Sequence, residues 1–149
     1  MITAGARRAG RGGAAVDFSE LTGGFAGLLG LRLDEATPER VVITWDCGPD
    51  LHQPYGIQHG GVYSSVVETA GSIGGAIWWG DRGQVVGVSN QTDFLRAVRE
   101  GELTAVATPV HQGRSQQLWQ VDITDAGGRL VARGQVRLQN LTPAPPAAG

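Results

Sequence analysis

The sequence predicts an α+β fold in which an antiparallel sheet covers one long helix, and three observations carry that expectation. Residues 53–80 read QPYGIQHGGVYSSVVETAGSIGGAIWWG, where Val62, Val66, Ala70, Ile73 and Ile77 recur at the three-and-four spacing of one helical face. Four strand-like runs follow, at 84–95, 103–111, 116–125 and 129–141. In the last, Leu130, Ala132, Gly134, Val136 and Leu138 point one way, while Val131, Arg133, Gln135, Arg137 and Gln139 point the other. Finally, 149 residues with an apolar fraction of 41% suffice for one core and leave no room for a second domain.

Taken in order, residues 1–16 are rich in Gly, Ala and Arg without periodicity and read as a disordered leader. Asp17 or Ser19 is expected to cap a short helix carrying Phe18, Leu21, Phe25 and Leu28, with Gly23 and Gly24 working against it. Runs 29–35 and 40–47, joined by Ala36-Thr37-Pro38-Glu39, are the first two strands. Residues 50–58, containing Pro54 and Gly56, form a loop into the central helix, and Asp125-Ala126-Gly127-Gly128 turns the chain between the last two strands. The folded domain is thus 17–141, and the Pro- and Ala-rich 142–149 is a disordered tail.

Composition narrows the partners. A net charge of -2 without a Lys/Arg cluster in the folded region argues against nucleic acid. Cys47 is the only cysteine, so no intramolecular disulfide is possible, and a reducing cytoplasm fits. No apolar segment follows Arg7, Arg8 and Arg11, and no stretch approaches the ~20 apolar residues of a membrane span. The expectation is a soluble cytoplasmic protein with small-molecule or protein partners.

The chemistry is concentrated in the long helix. Ser64, Ser65, Glu68, Gly71, Ser72 and Gly75 lie away from its apolar stripe, where a solvated helix would carry long charged side chains. Gly71, Gly74 and Gly75 each cost on the order of 1 kcal/mol relative to Ala inside a helix, so close tertiary contact must offset them. Gly60 and Gly61 open the helix where its first N–H groups lack partners and its dipole favours developing negative charge, a natural oxyanion site. Glu68 and Ser72 are neighbours at i,i+4, so the serine hydroxyl is placed to orient the carboxylate or a water on it.

His59-Gly60-Gly61, with Gln53 fifteen residues before Glu68 and Ser72 four after it, resembles the hotdog-fold acyl-CoA thioesterases of the PaaI type. Val86-Gly87-Val88, Arg96-Ala97-Val98-Arg99-Glu100-Gly101 and Gly113-Arg114-Ser115 extend the resemblance over residues 28–141. It reaches the branch acting on aromatic acyl-CoA or aryl-carrier thioesters, similar to the hydroxybenzoyl- and dihydroxynaphthoyl-CoA thioesterases. The resemblance implies a sheet wrapped around the central helix, and dimers with a continuous sheet that pair into tetramers. It also implies sites between subunits, Gly60-type N–H from one chain and Glu68-type carboxylate from the other.

On this reading Glu68 attacks the thioester carbonyl or activates the water that does, and the Gly60 N–H polarises the carbonyl. Gln53 orients the carbonyl or the water. His59 either holds the loop structurally or positions the thioester. Arg96, Arg99 and Arg114, by default surface charges, become candidates for the CoA phosphates together with Gly113 and Ser115. Phe94 stands where aryl-carrier relatives have a histidine; like Trp78 and Trp79, it also fits a core or an interface.

CoA is part of the substrate and no separate cofactor is implied. No metal site is expected, because His52, His59, His111, Cys47 and Glu68 include no pair at zinc-site spacing. A serine nucleophile elbow, G-x-S-x-G, is absent. The alternative is a non-catalytic hotdog module that only binds CoA or an acyl carrier protein, and the retained carboxylate favours the enzyme. A dehydratase on this fold would pair Asp with a later His, whereas Thr69 and Ala70 follow Glu68.

Overall fold

A computed structural model describes residues 23–143. The expected leader, the tail beyond residue 143 and the caps at Asp17 or Ser19 lie outside the described residues. The elements are α1 (Gly24–Leu28), β1 (Arg32–Ala36), β2 (Val41–Cys47), β3 (His52–Gln53), β4 (Ile57–Gln58), α2 (Gly60–Trp79), β5 (Gln84–Phe94), β6 (Gly101–Gln112), β7 (Gln116–Thr124) and β8 (Leu130–Leu141). Six strands form one antiparallel sheet in the order β1-β2-β6-β7-β8-β5, and α2 packs across it, the hotdog arrangement.

Period-2 alternation builds the inner face. Val41, Ile43, Trp45 and Cys47 of β2, Leu103, Ala105 and Ala107 of β6, and Trp119, Val121 and Ile123 of β7 are buried against the helix. On β8 the expected alternation holds for Val136 and Leu138 inside and for Arg133, Gln135 and Arg137 outside. Val131 departs from it. Expected on the outer face, it is fully buried, because the β7–β8 ladder shifts register between Ile123 and Thr124. Its carbonyl takes both the Leu95 and Arg96 N–H, so the segment after β5 is tied to this end of the sheet.

The glycines of α2 correct a second expectation. Placed by sequence on the side away from the apolar stripe, Gly71 and Gly75 instead face the chain's own sheet, as Gly74 does. A β-carbon at Gly74 would lie 2.5 Å from Trp119 Cη2, one at Gly71 would overlap Val136, and one at Gly75 would overlap Leu138. Backbone-to-side-chain contact with buried Trp119, Val136 and Leu138 therefore offsets the helical cost of the glycines. Ser65 and Thr69 settle their hydroxyls internally, donating to the carbonyls of Gly61 (2.7 Å) and Ser65 (2.8 Å).

Of the residues expected in the first helix, Phe25 and Leu28 fall in α1, whereas Phe18 and Leu21 lie outside the described residues. The helix begins at Gly24 without a side-chain cap, and Phe25 and Leu28 are 62% and 83% exposed; Leu29 and Leu31 enter the core in their place. The stretch before α2 is more than a loop: a 3-10 turn, Pro49–Leu51, precedes the small β3–β4 hairpin. Gly56, at φ 72°, makes its turn. Asp125 closes the last hairpin, its Oδ1 accepting the N–H groups of Gly127 and Arg129, both at 3.0 Å.

Candidate active site

The histidine before the Gly-Gly pair is the N-cap of α2. His59 has extended backbone, and its Nδ1 accepts the Gly61 N–H at 2.8 Å. Of the two roles the sequence left open, this contact is the structural one. The cap leaves Gly60 as the first helical residue, and its N–H has no acceptor among the described residues. Phe94 lies directly on Gly60: a β-carbon there would stand 2.5 Å from Phe94 Cε2. Only glycine lets the aromatic ring and the helix N-terminus meet this closely.

Around this contact is a cavity of about 250 Å³ whose walls include Gln53, Ile57, Gly60, Tyr63, Phe94 and Arg96. Gln53 Oε1 accepts the Tyr55 N–H, which turns the side-chain amide back toward its own hairpin. Tyr63 sits between Trp45 and Phe94, with ring centroids at 6.4 and 6.0 Å. Its Oη is buried without a hydrogen-bond partner among the described residues, and burial pushes its ionisation up to about 12. The cavity is thus aromatic-walled, with an open backbone donor at one side.

Glu68 is elsewhere. Eight residues of α-helix separate it from Gly60, about 12 Å along the axis at ~1.5 Å per residue. Its Oε2 accepts from Asn90 Nδ2 at 3.2 Å, and its other oxygen is pressed against Gly87, where a β-carbon would overlap it. Gly87 stands at an irregularity in β5, where the register against β8 shifts between Gly87 and Ser89. Among the described residues Asn90, not Ser72, is the carboxylate's hydrogen-bond partner; Ser72 is half-buried one turn further on.

The arginine candidates separate in space. Arg96 is exposed at the cavity. Arg99 donates from Nη1 to the carbonyls of Tyr55 (3.1 Å) and Gly56 (3.3 Å), so it braces the β3–β4 turn beside the cavity. Gly113, Arg114 and Ser115 form the β6–β7 turn, far from Gly60. That turn is anchored from below: Asn140 Nδ2 donates to the Gly113 and Arg114 carbonyls, and Gln117 Nε2 donates to Asn140 Oδ1 (2.7 Å) and to Gly75 O (3.3 Å). A buried amide pair therefore couples the turn to the second half of α2. Trp78 and Trp79 lie tilted against each other near the helix end, where the Arg82 guanidinium lies 4.5 and 4.2 Å from their ring centroids.

Gln53, Gly60, Phe94 and Arg96 are thus brought to one cavity, whereas Glu68, Ser72 and the 113–115 turn are not. Sequence reasoning missed Asn90, Gly87, Tyr63 and the Gln117–Asn140 pair as neighbours of the candidate residues. Gly87 carried one usable signal, a glycine in the interior of an apolar strand, which marks close approach. Among the described residues no group of three or more His, Cys, Asp and Glu could hold a metal ion. Nor is any described helix long and apolar enough to cross a membrane.

A six-stranded antiparallel sheet across one long helix is the hotdog fold, and comparison with known proteins makes this chain a thioester hydrolase. The chain belongs to the thioesterase superfamily, whose family model matches residues 55–132. It is similar to the Rv1847 protein of Mycobacterium tuberculosis, 47% identical over 120 residues, 78% of this chain and 86% of that one. The 1,4-dihydroxy-2-naphthoyl-CoA hydrolase of Escherichia coli K12 is 32% identical over 108 residues, 72% of this chain and 79% of the relative. Among solved structures, AziG of S. sahachiroi superposes with a TM-score of 0.80 at 51% identity, covering 81% of this chain and 98% of that one.

Proposed function

We propose that the protein hydrolyses an aromatic acyl-CoA thioester to the free acid and CoA, at sites shared between two chains. The observation that carries this reading is the separation of Gly60 from Glu68. A reacting carbonyl must lie about 3 Å from both its oxyanion donor and its base, and one helix cannot bring groups about 12 Å apart to that point. The carboxylate that serves the Gly60 cavity therefore comes from a second copy. Strand β5 supports this: it is an open sheet edge of 11 residues with Val86 and Val88 exposed, a surface that natural sheets cover or pair. Pairing β5 with its copy continues the sheet, and two such dimers form a tetramer.

In the reaction the thioester oxygen takes the Gly60 N–H, aided by the helix dipole, as negative charge grows on it. Glu68 of the other chain either attacks the carbonyl carbon or removes a proton from water that attacks it. The C–S bond then breaks, and CoA leaves as the thiolate and is protonated; in the first route a water then hydrolyses the resulting anhydride, which releases the free acid and restores the Glu68 carboxylate. Gln53 orients the carbonyl or the water from the cavity wall. Arg96 and the Arg114–Ser115 turn are the phosphate partners, and Arg99 contributes by holding the hairpin that carries Gln53. Phe94 and Tyr63 support an aromatic acyl group, as does the naphthoyl-CoA substrate named for the E. coli relative. An acyl or aryl carrier protein presenting the same thioester is a second possible donor, and the free thiol of Cys47 is in keeping with a cytoplasmic setting.

The test is thiol release from benzoyl-CoA and from long-chain acyl-CoAs. Glu68→Gln keeps the shape and loses the basic oxygen, so kcat should fall at least ~10²-fold with KM retained. Near-normal turnover by that variant would end the mechanism. No turnover of any thioester by the unaltered protein would favour a binding module.

A further inference from the structure

The carboxylate of Glu68 is held by a strand rather than by the helix that bears it. Asn90 on β5 donates from one amide nitrogen to two acceptors, Glu68 Oε2 at 3.2 Å and the Ser64 carbonyl at 3.0 Å. Both are acceptors only, so the NH₂ end of the amide must face them, and the oxygen end faces Thr92. Thr92 Oγ1 donates to that oxygen at 2.8 Å. Thr92 is itself confined, since a β-carbon on Gly134 of β8 would come within 2.7 Å of both Thr92 Oγ1 and Val67 Cγ2. On the far side of the carboxylate, Gly87 leaves room for Oε1 and for nothing more.

We propose that Asn90, oriented by Thr92 and opposed by Gly87, is a positioning residue that clamps Glu68 in its reactive rotamer. A glutamate on a half-exposed helix face otherwise samples several rotamers, and freezing them beforehand removes that entropy from the activation step. Replacing the amide by an isosteric carboxylate reverses the contact, because oxygen would then face two acceptors, one of them a like charge. The inference rests on Glu68 being the base or nucleophile, and the variants are chosen to separate the two claims.

The experiment measures kcat, KM and thermal midpoint for Glu68→Gln, Asn90→Asp, Asn90→Leu and Gly87→Ala with benzoyl-CoA. The expected result is a fall in kcat on the order of tenfold or more for each Asn90 variant and for Gly87→Ala, with KM and midpoint within about twofold and a few degrees of the parent. If Glu68→Gln stays active, the reading of Glu68 itself fails, whatever Asn90 does. If Glu68→Gln is inactive but both Asn90 variants keep parental kcat, the clamp is overturned. A parallel loss of kcat, KM and midpoint would also overturn it, by showing a role in folding alone.

Discussion

Complementation between two inactive variants tests the shared site quantitatively. Glu68→Ala removes the carboxylate and leaves its own Gln53 and Gly60 intact; Gln53→Ala does the reverse. When equal amounts are refolded together, random pairing makes about half of the dimers hybrids. Each hybrid holds one site with both wild-type residues and one site with both lesions. About a quarter of all sites are then intact, so the mixture should show about a quarter of wild-type turnover. The parents alone should retain less than about a tenth, because truncating a base or an orienting group commonly costs tenfold to 10⁴-fold. The assay is thiol release before and after co-refolding, with hybrids isolated by two affinity tags. Activity equal to the average of the parents would refute the argument from the about 12 Å separation, as would a light-scattering mass of a single chain.

Other consequences follow from single contacts. Gly74→Ala gains about 1 kcal/mol of helix propensity but drives a methyl into Trp119, an overpacking cost of about 1–3 kcal/mol, so calorimetry should show a midpoint about 2–5 °C lower. A higher midpoint would mean that the helix does not rest on Trp119. Tyr63 holds its proton up to about 12, above the ordinary value near 10, so its contribution to stability is complete below pH 10 and is lost as pH rises toward 12. The sequence contains no lysine to titrate in this alkaline window. Tyr63→Phe should therefore flatten the fall of the urea midpoint between pH 10 and 12; an unchanged slope would exclude Tyr63 as its source. Arg99→Met releases the carbonyls of Tyr55 and Gly56 and should raise KM more than it lowers kcat, whereas an unchanged KM would separate the hairpin from substrate binding.

Much of the fold was legible in the chain because its signals are periodic and local. Strand-like runs, with explicit alternation in the last, located the strands now seen as β2, β5, β6, β7 and β8 to within a few residues, and the Val62–Ile77 spacing located the helix. The His59-Gly60-Gly61 start was also local, since a cap and an open N–H need only a few consecutive residues. Even the separation of Gly60 from Glu68 is contained in the numbering once the helix is accepted.

What the chain alone left undecided depends on groups far apart in sequence. A glycine has no side chain to reveal its neighbour, so Gly71, Gly74 and Gly75 promised close packing without saying whether the surface was a partner or the chain's own Trp119, Val136 and Leu138. Val131 obeyed the alternation of β8 until a register shift and the Leu95–Arg96 backbone claimed its end of the strand. Glu68 was recognisable as a candidate, yet its holder, Asn90, is 22 positions away on a strand. Gln117 and Asn140, which anchor the 113–115 turn, are 23 apart on neighbouring strands. Amides and single glycines carry no hydropathy period, so their partners are decided only when strand register and helix rotation bring particular atoms within hydrogen-bond range.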